Sequence, residues 1–420
     1  MPESCPECGG NLLAVEDTTP WCGRCEWNLD TFPPVNGIWA RRLVVGLDRR
    51  AGFRAGRALA ALGEHEISRR ATVGFVALVV VSALLTIGLL ATAGVGVWLV
   101  VTGGLLPPIL LGLALIGLAA TLRPRLGSRK RAVANGWIVP ADSAVSALVG
   151  RVADATDAPR PHVIVADLDW NAAVAVVGLR RTRVLRLGVP LLLALDEQQQ
   201  VAVIGHELGH LKHDDSLRAL ATMPALTVFG RLARLTTLPP GDAADRGLAG
   251  VLALIFSVLQ LVMGALSWLF WTLHLGLHLI GAAERRRTET HADLISARAA
   301  GHRAALESLD VLALLETRMK GLLHPNVADG RAAAEWRDLL THARARAAGD
   351  VEALRQLTIR DAASMLASHP APGRRHQWLR ARPHLDPLVT VTPLEAETLR
   401  AELAPYAEPL LRRIREAHGL

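Results

Sequence analysis

Fifty-two consecutive residues, Ala71 to Leu122, carry no charge, and no other feature restricts the fold of this chain so tightly. A bilayer core takes about 20 apolar residues per helix, so the run predicts two membrane spans. The glycine-rich stretch between Ala93 and Gly104 is where the chain is expected to turn. The run is too long, and begins too far along the chain, for a signal peptide. Composition agrees: the 420 residues are 51% hydrophobic and 20% charged, with a mean hydropathy of +0.28. Together these predict an integral membrane protein.

Arginines orient it. Arg69 and Arg70 precede the run, while Arg123, Arg125, Arg129, Lys130 and Arg131 follow it. Basic residues mark the cytoplasmic side of a span, so both flanks should be cytoplasmic. The net charge of +7 is arginine charge, since Lys130, Lys212 and Lys320 are the only lysines. No basic patch is interleaved with aromatics in the manner of a nucleic-acid groove, which leaves membrane lipid, through its anionic headgroups, as the expected partner. The segment Arg41 to Arg70 mixes eight arginines with apolar residues. It reads either as a helix along the inner membrane face or as a solvated basic linker.

The four cysteines form a compact pattern. Cys5 and Cys8 lie in SCPECGG and Cys22 and Cys25 in WCGRCEW, two pairs with two-residue gaps. That spacing predicts a zinc ribbon, in which four thiolates close a tetrahedron around one structural ion. A forty-residue module with so little apolar content cannot build its own core, so the metal would supply folding energy. A cytosolic location argues against disulfides.

A second metal pattern lies in VAVIGHELGHLKHDD, Val201 to Asp215. His-Glu-Leu-Gly-His on a helix stacks His206 and His210 one turn apart with Glu207 beside them, two zinc ligands and a base. Asp196 with Gln199 three residues on offers a capping box, so a helix is expected here. Gly205 and Gly209 each cost it about 1 kcal/mol relative to alanine, which implies close packing against another backbone. A hydrolytic zinc needs a third protein ligand and one open position. Candidates are His213, Asp214, Asp215, and the helical segment AAERRRTETHADLISARAAG, where Glu289 and Asp293 share a face. His213 is too near His210 in the chain to close a tetrahedron easily. Glu289 as ligand, with Asp293 orienting a zinc histidine, is a coherent assignment.

HELGHLKHDD followed by RTETHAD resembles the HtpX-like membrane zinc metallopeptidases, relatives of the CAAX prenyl endopeptidases. The resemblance runs from about Ala71 to Leu379 and falls on His206, Glu207, His210, Asp215, Glu289 and Asp293. DWNAAVAVV resembles the family's edge strand and puts Asn171 and Ala172 beside the substrate backbone. SHPAPGRRHQWL resembles its His-Pro motif, giving His369, Pro370 and Arg375; His376 stands where the family has an aliphatic residue. The earlier LHPNVADGR offers His324 but has Gly330 in place of the arginine. The amino-terminal ribbon is an addition to the simplest family member, and its partner is left open.

The resemblance implies a gluzincin-type endopeptidase. Zinc would be held by His206, His210 and Glu289, with Glu207 as general base and His369, together with Arg375, as donor to the oxyanion. Asp293 and Asp215 would support the ligands. The expected fold is a mainly α membrane protein: transmembrane helices, a cytoplasmic α+β peptidase domain with a small edge-stranded sheet, and the ribbon. Its expected divisions are a ribbon at 1–40, a basic linker at 41–70, a transmembrane hairpin at 71–122 and a peptidase domain at 123–420 interrupted by a membrane insertion around 216–283. His210 and Glu289 must meet on one side of the bilayer, so the intervening chain crosses an even number of times. Either Arg218–Leu235 pairs with the first part of the uncharged block Gly247–Ala283, or that block folds back near Gly264 or stays a long helix that does not cross.

Three function classes follow. The first is a broad-specificity protease of damaged or unfolded membrane proteins at the cytoplasmic membrane. The second is a dedicated endopeptidase for one lipidated or membrane-tethered peptide. The third is a non-catalytic scaffold, which the retained base Glu207 argues against.

Overall fold

The computed structural model describes residues 4–15, 18–32, 34–36, 39–61, 72–125, 127–134, 136–178, 180–213, 215–237, 250–315, 322–367 and 369–419, with the side chains at 39–41, 215–216 and 250 left aside. In chain order the elements are strands β1 (Leu12–Leu13) and β2 (Trp21–Cys22), then helices α1 (Trp39–Ala61), α2 (Val73–Thr102), α3 (Leu106–Leu122) and α4 (Arg129–Ala132). Strand β3 (Gly136–Ile138), helix α5 (Ala144–Ala155), strands β4 (Val163–Asp167), β5 (Ala172–Val177) and β6 (Thr182–Gly188), and helix α6 (Val189–Ala194) come next. Helices α7 (Glu197–Lys212), α8 (Asp215–Thr236), α9 (Gly250–Ala300), α10 (His302–Leu314), α11 (Ala332–Ala347), α12 (Val351–Asp361), α13 (Pro372–Arg380) and α14 (Pro393–Ala417) complete it. The chain is thus mostly helical with a small sheet.

Contacts divide it into two units, one comprising Met1–Ser68, Leu126–Ser216 and Arg285–Leu420, the other Arg69–Arg125 and Leu217–Glu284. Val73–Thr102 of the second unit is long and apolar enough to cross a membrane, as is Val251–Ala300, whose uncharged part, 251–283, lies in that unit and whose remainder belongs to the first; α3 is a shorter apolar helix. Their large side chains stand exposed, Leu90 at 68%, Trp98 at 61% and Val251 at 72%, which in water would be a heavy cost and in lipid is none. The turn between α2 and α3 falls at Gly103–Leu105, and the helices close on each other where Gly96 faces the Gly112 carbonyl. Helix α8 carries Arg218, Arg231 and Arg234 and does not reach the apolar length of a span. Its Arg231 donates to the carbonyls of Thr121 and Arg123 at the C-terminus of α3, where the helix dipole favours a cation. Of the alternatives for this block, the reversal near Gly264 is the one the structure does not show: α9 runs unbroken for 51 residues, and Gly264 makes no close contact.

The first unit is built around the four-stranded sheet, order β3-β4-β6-β5, in which β4 and β6 are parallel and the other pairs antiparallel. Strand β5 is therefore an edge. Helices α5, α6, α7 and α10 to α14 bury one continuous core with it. Trp21 and Leu29 of the cysteine-bearing segment, both fully buried, belong to that same core. The stretch read as a basic linker is helical through Ala61, and its Phe53 and Leu59 are buried; residues 62–70 lie outside the description.

Helix α7 begins as its residues dictate, with the Asp196 and Gln199 side chains forming a capping box. Glu197, almost fully buried, is held by Arg337 at 2.8 Å and Arg400 at 2.7 Å. The two glycines face α9: a Cβ on Gly205 would stand 2.8 Å from the Ala299 Cβ, and one on Gly209 2.9 Å from the Ala292 Cα. Ser296 crosses the contact, donating at 2.8 Å to the Ala202 carbonyl. Gly205→Val should therefore overpack this contact and destabilise the protein by about 1–3 kcal/mol, whereas Gly46→Ala, on the open side of α1, should leave the melting temperature unchanged or raise it. Equal melting temperatures for the two variants would contradict the packing described.

Candidate metal centre

The approach of α7 and α9 brings four side chains to one point. The ligand atoms of His206, His210, Glu289 and His369 all lie within 4.8 Å of one another. His206 and His210 come from successive turns of α7, with ring centroids 4.9 Å apart. Glu289 comes from α9, its oxygens 3.6 Å from His206 Nε2 and 3.6 Å from His210 Nε2. His369 precedes α13, and its Nδ1 is 2.8 Å from Glu289 Oε1.

This set suits a cation. Glu289 Oε2 is shielded from solvent yet makes no hydrogen bond, and His369 Nδ1 lacks hydrogen-bond geometry despite its nearness to Glu289. Imidazole nitrogens and a carboxylate converging on one point are the donor types that zinc takes. The electrostatics agree. Burial would raise the Glu289 carboxyl, but the approach of His206 and His369 holds it well below the ordinary range. Burial and Arg375 push His206 down, yet Asp293 and Glu289 prevail and lift it to about 9, so the carboxylates outweigh the local positive charge.

Behind the cluster lies a buried ion pair. Arg375 donates to Asp293 through Nε at 3.1 Å and Nη2 at 2.5 Å, and Asp293 Oδ1 is 3.1 Å from His206 Nδ1. Despite burial, Arg375 and His206 keep the Asp293 carboxyl lowered. Asp293 thus stands where it orients the His206 ring. Arg375 has a supporting place beside the cluster: its Nε and Nη2 donate to Asp293, and Nη2 also lies 2.9 Å from His206 Nδ1, while the residue also lines the cavity that Glu207 lines.

Glu207 is buried beside His206 and lines a cavity of about 480 Å³. Trp170, Asn171 and Ala172, at the start of edge strand β5, line the same cavity, as do His369 and Pro370. His213 caps α7, its ring tilted against that of His291 with centroids 4.9 Å apart, and is not among the clustered ligands. The His324 carbonyl accepts from the Trp336 indole, and His324 is not among the clustered ligands. Asp215 opens α8, and its side chain, like all of Asp214, lies outside the description. His376 is buried in the core and lowered to about 4 by burial, against the pull of Asp310. A neutral imidazole there fills space as an aliphatic side chain would.

The cysteines form a second cluster. All four Sγ atoms lie within 4.8 Å, with Cys5 to Cys25 at 3.6 Å and Cys8 to Cys22 at 3.4 Å, and no disulfide joins them. Burial would raise the Cys22 thiol, but backbone N–H groups of Cys25 and Arg24 bring it down to about 6, whereas Cys25, despite the Trp27 backbone, is pushed up to about 12 by burial and the neighbouring sulfurs; the case for a metal rests on the convergence of the four sulfurs.

A helix-borne HExxH pair joined by a glutamate from a second helix defines the class as a metallopeptidase-like metal centre. The comparisons then give the family: the profile of Peptidase family M48 matches residues 141–383, more than half of the chain. The chain belongs to that family, as an HtpX-like member. "Protease HtpX homolog" of Thermoplasma volcanium is 34% identical over 118 residues, 28% of this chain and 37% of the relative. That of Acidiphilium cryptum is 31% identical over 126 residues, 29% and 44%. "Protease HtpX homolog 2" of Saccharolobus solfataricus is 34% identical over 140 residues, 33% and 40%. The chain spans less than half the length of these curated relatives. No solved structure matches it.

Sequence motifs could not have revealed Arg374, Gln356 and Glu26, which join the cysteine-bearing segment to the helices around the centre. Metal analysis should find two zinc ions per chain. Glu289→Ala should lose one, and Cys5→Ser with Cys8→Ser the other. One ion in the intact protein, with oxidised cysteines, would remove the ribbon site.

Proposed function

We propose that this chain is a membrane-embedded zinc endopeptidase that cuts damaged or unfolded membrane proteins at the cytoplasmic membrane face. The observation that carries the proposal is the placement of Glu207 beside the His206, His210 and Glu289 cluster, in a cavity that the edge strand also reaches. The names of the relatives, proteases all, support it.

Zinc, when held by His206, His210 and Glu289, would polarise the scissile carbonyl and make water nucleophilic near neutral pH. Glu207 takes the proton of the attacking water and passes it to the leaving amine. His369, half-exposed at the cavity rim, donates to the oxyanion. Substrate adds as a strand beside β5 near Asn171 and Ala172, paired through its backbone, so that many sequences are accepted. Residues 1–40 form the structural zinc ribbon, and the apolar helices of the second unit hold the protease in membrane lipid. The arginines flanking 71–122 support a cytoplasmic location for ribbon and centre.

Glu207→Gln keeps size and hydrogen bonding but removes the base. Hydrolysis of an unfolded membrane substrate should fall by about 10²-fold to 10⁴-fold while zinc content persists. His369→Ala should cost on the order of 10²-fold to 10³-fold in turnover, again with zinc retained; loss of zinc would make it a ligand instead. Full activity in both variants would sink the mechanism. Proteins captured by the Glu207→Gln variant in membranes should be many, and capture of a single lipidated or tethered peptide would favour the dedicated processing enzyme. For orientation, Gly104→Cys in the α2–α3 turn should react with an impermeant maleimide added outside intact cells. Reaction only after permeabilisation would reverse the assigned topology.

A further inference from the structure

We propose that Glu26, on the second cysteine knuckle, is a positioning residue for helix α13, which carries Arg375 to the metal centre, so that the metal state of the ribbon sets the geometry of Arg375. The inference rests on the peptidase reading above.

The knuckle is a fixed platform. Cys22 N–H donates to the Trp27 carbonyl at 2.9 Å and Glu26 N–H to the Cys22 carbonyl at 3.1 Å, which holds Glu26 at a φ of 62°. A non-glycine residue adopts that backbone where its surroundings hold it, and here the hydrogen bonds of Cys22 with Trp27 and Glu26 do so. From this point the Glu26 carboxylate meets both terminal nitrogens of Arg374, with Nη2 to Oε2 at 2.8 Å. Gln377, one turn further along α13, donates to Glu26 at 3.3 Å. The Arg374 and Glu26 side chains are only 5% and 12% exposed, so this is not a solvated surface pair. A bidentate carboxylate–guanidinium contact fixes orientation as well as distance.

Arg374 is the neighbour of Arg375, whose guanidinium holds Asp293 and stands against His206. Four links therefore run from the cysteines to a ligand of the catalytic centre: Glu26, Arg374, Arg375 and Asp293. The same face is gripped twice more. Gln356 of α12 accepts from the Trp21 indole at 2.6 Å and donates to the Gly23 carbonyl at 2.7 Å. On α1, Asp48 accepts from the Ser364 hydroxyl at 2.6 Å and from the Met365 N–H at 3.0 Å, in the segment that leads to His369. Gly52 makes that approach possible, since a Cβ there would stand 2.5 Å from the Ser364 backbone. The ribbon and α1 thus clamp the chain at both sides of His369, and Glu26 is the link that ends on the side of Arg375.

The test uses the full chain in lipid nanodiscs, with Glu26→Gln, Arg374→Gln and both together. Each single variant should lose on the order of 10-fold to 10²-fold in kcat, with KM within about 2-fold, as small misplacements of catalytic groups do. Each should also release the ion held by His206, His210 and Glu289 faster to a chelator, because the ligand support is loosened. The double variant should be no worse than either single one. Unchanged kcat and ion release in Glu26→Gln, with only a lowered melting temperature, would make the contact structural and overturn the proposal. So would additive losses in the double variant. If the variants do not fold, an organomercurial titrated onto the ribbon thiols of the unaltered chain should produce the same loss of kcat and faster amide exchange across Pro372–Arg380; no change in either would overturn it equally. If the unaltered chain cuts nothing, the peptidase reading fails, while the ion-release measurement still decides the coupling.

Discussion

Helices α7 and α9 approach each other until backbone meets backbone, and the metal centre exists only because they do. Gly205 and Gly209 on one side, with Ala292, Ser296 and Ala299 on the other, leave no room for a side chain between them. The two glycines cost α7 about 1 kcal/mol each relative to alanine, and the contact they allow offsets that by burying Ala292 and Ala299 completely. Geometry follows from the spacing. His206 and His210 alternate with the glycines by one residue, so the histidine face is turned about 100° from the contact face and still overlooks α9. Glu289 and Asp293, one turn apart on α9, then reach the two sides of His206. A bulkier contact would widen this spacing and separate all the ligands at once.

The second dependence is electrostatic. Within a few ångströms the centre buries Glu289, Asp293, His206 and Arg375, a concentration of charge that would be prohibitive if each were alone. Arg375 and Asp293 neutralise each other as a hydrogen-bonded pair, which is the condition under which buried charges persist. Glu289 has no such private partner: it is shared among three histidines. The low carboxyl and the raised imidazole express the same fact, that this point favours one further positive charge. A divalent cation satisfies it while leaving Glu207 outside the cluster, at the cavity wall.

What the sequence made legible was whatever is short-range and periodic. The capping box at Asp196 and Gln199, the helical register of His206 and His210, the shared face of Glu289 and Asp293, and the uncharged run at Ala71–Leu122 are all set by local spacing. The glycines of α7 announced a close contact but not its partner, because a missing side chain does not say what fills its place. The pairing of Arg375 was hidden for a related reason: a motif gives a residue's position, and only the fold reveals that Asp293 accepts from its Nε and Nη2. Gln356, Glu26 and Arg374 were illegible altogether. Glu26 and Arg374 are 348 residues apart, each an ordinary charged residue in its own segment, and no periodicity connects them.

The cysteine-bearing segment illustrates how a module too small for its own core becomes stable. Its strands are two residues long, far short of what a free-standing hairpin requires. Trp21 and Leu29 are nevertheless fully buried, because they enter the core of the large unit instead of one of their own. The Arg360 guanidinium lies over the Trp21 ring at 5.6 Å, and Gln356 takes up the indole N–H, so the one polar atom of that side chain is satisfied where water cannot reach it. Burial of the tryptophan and of the Glu26–Arg374 pair thus ties the folding of the cysteine segment to helices α12 and α13. The dependence runs both ways. The segment needs the helices to bury Trp21, and the helices need Glu26 to cover Arg374, which would otherwise be a buried guanidinium without its carboxylate. A cysteine segment joined in this manner is part of the larger unit's own architecture, and helices α12 and α13 are where it is fastened.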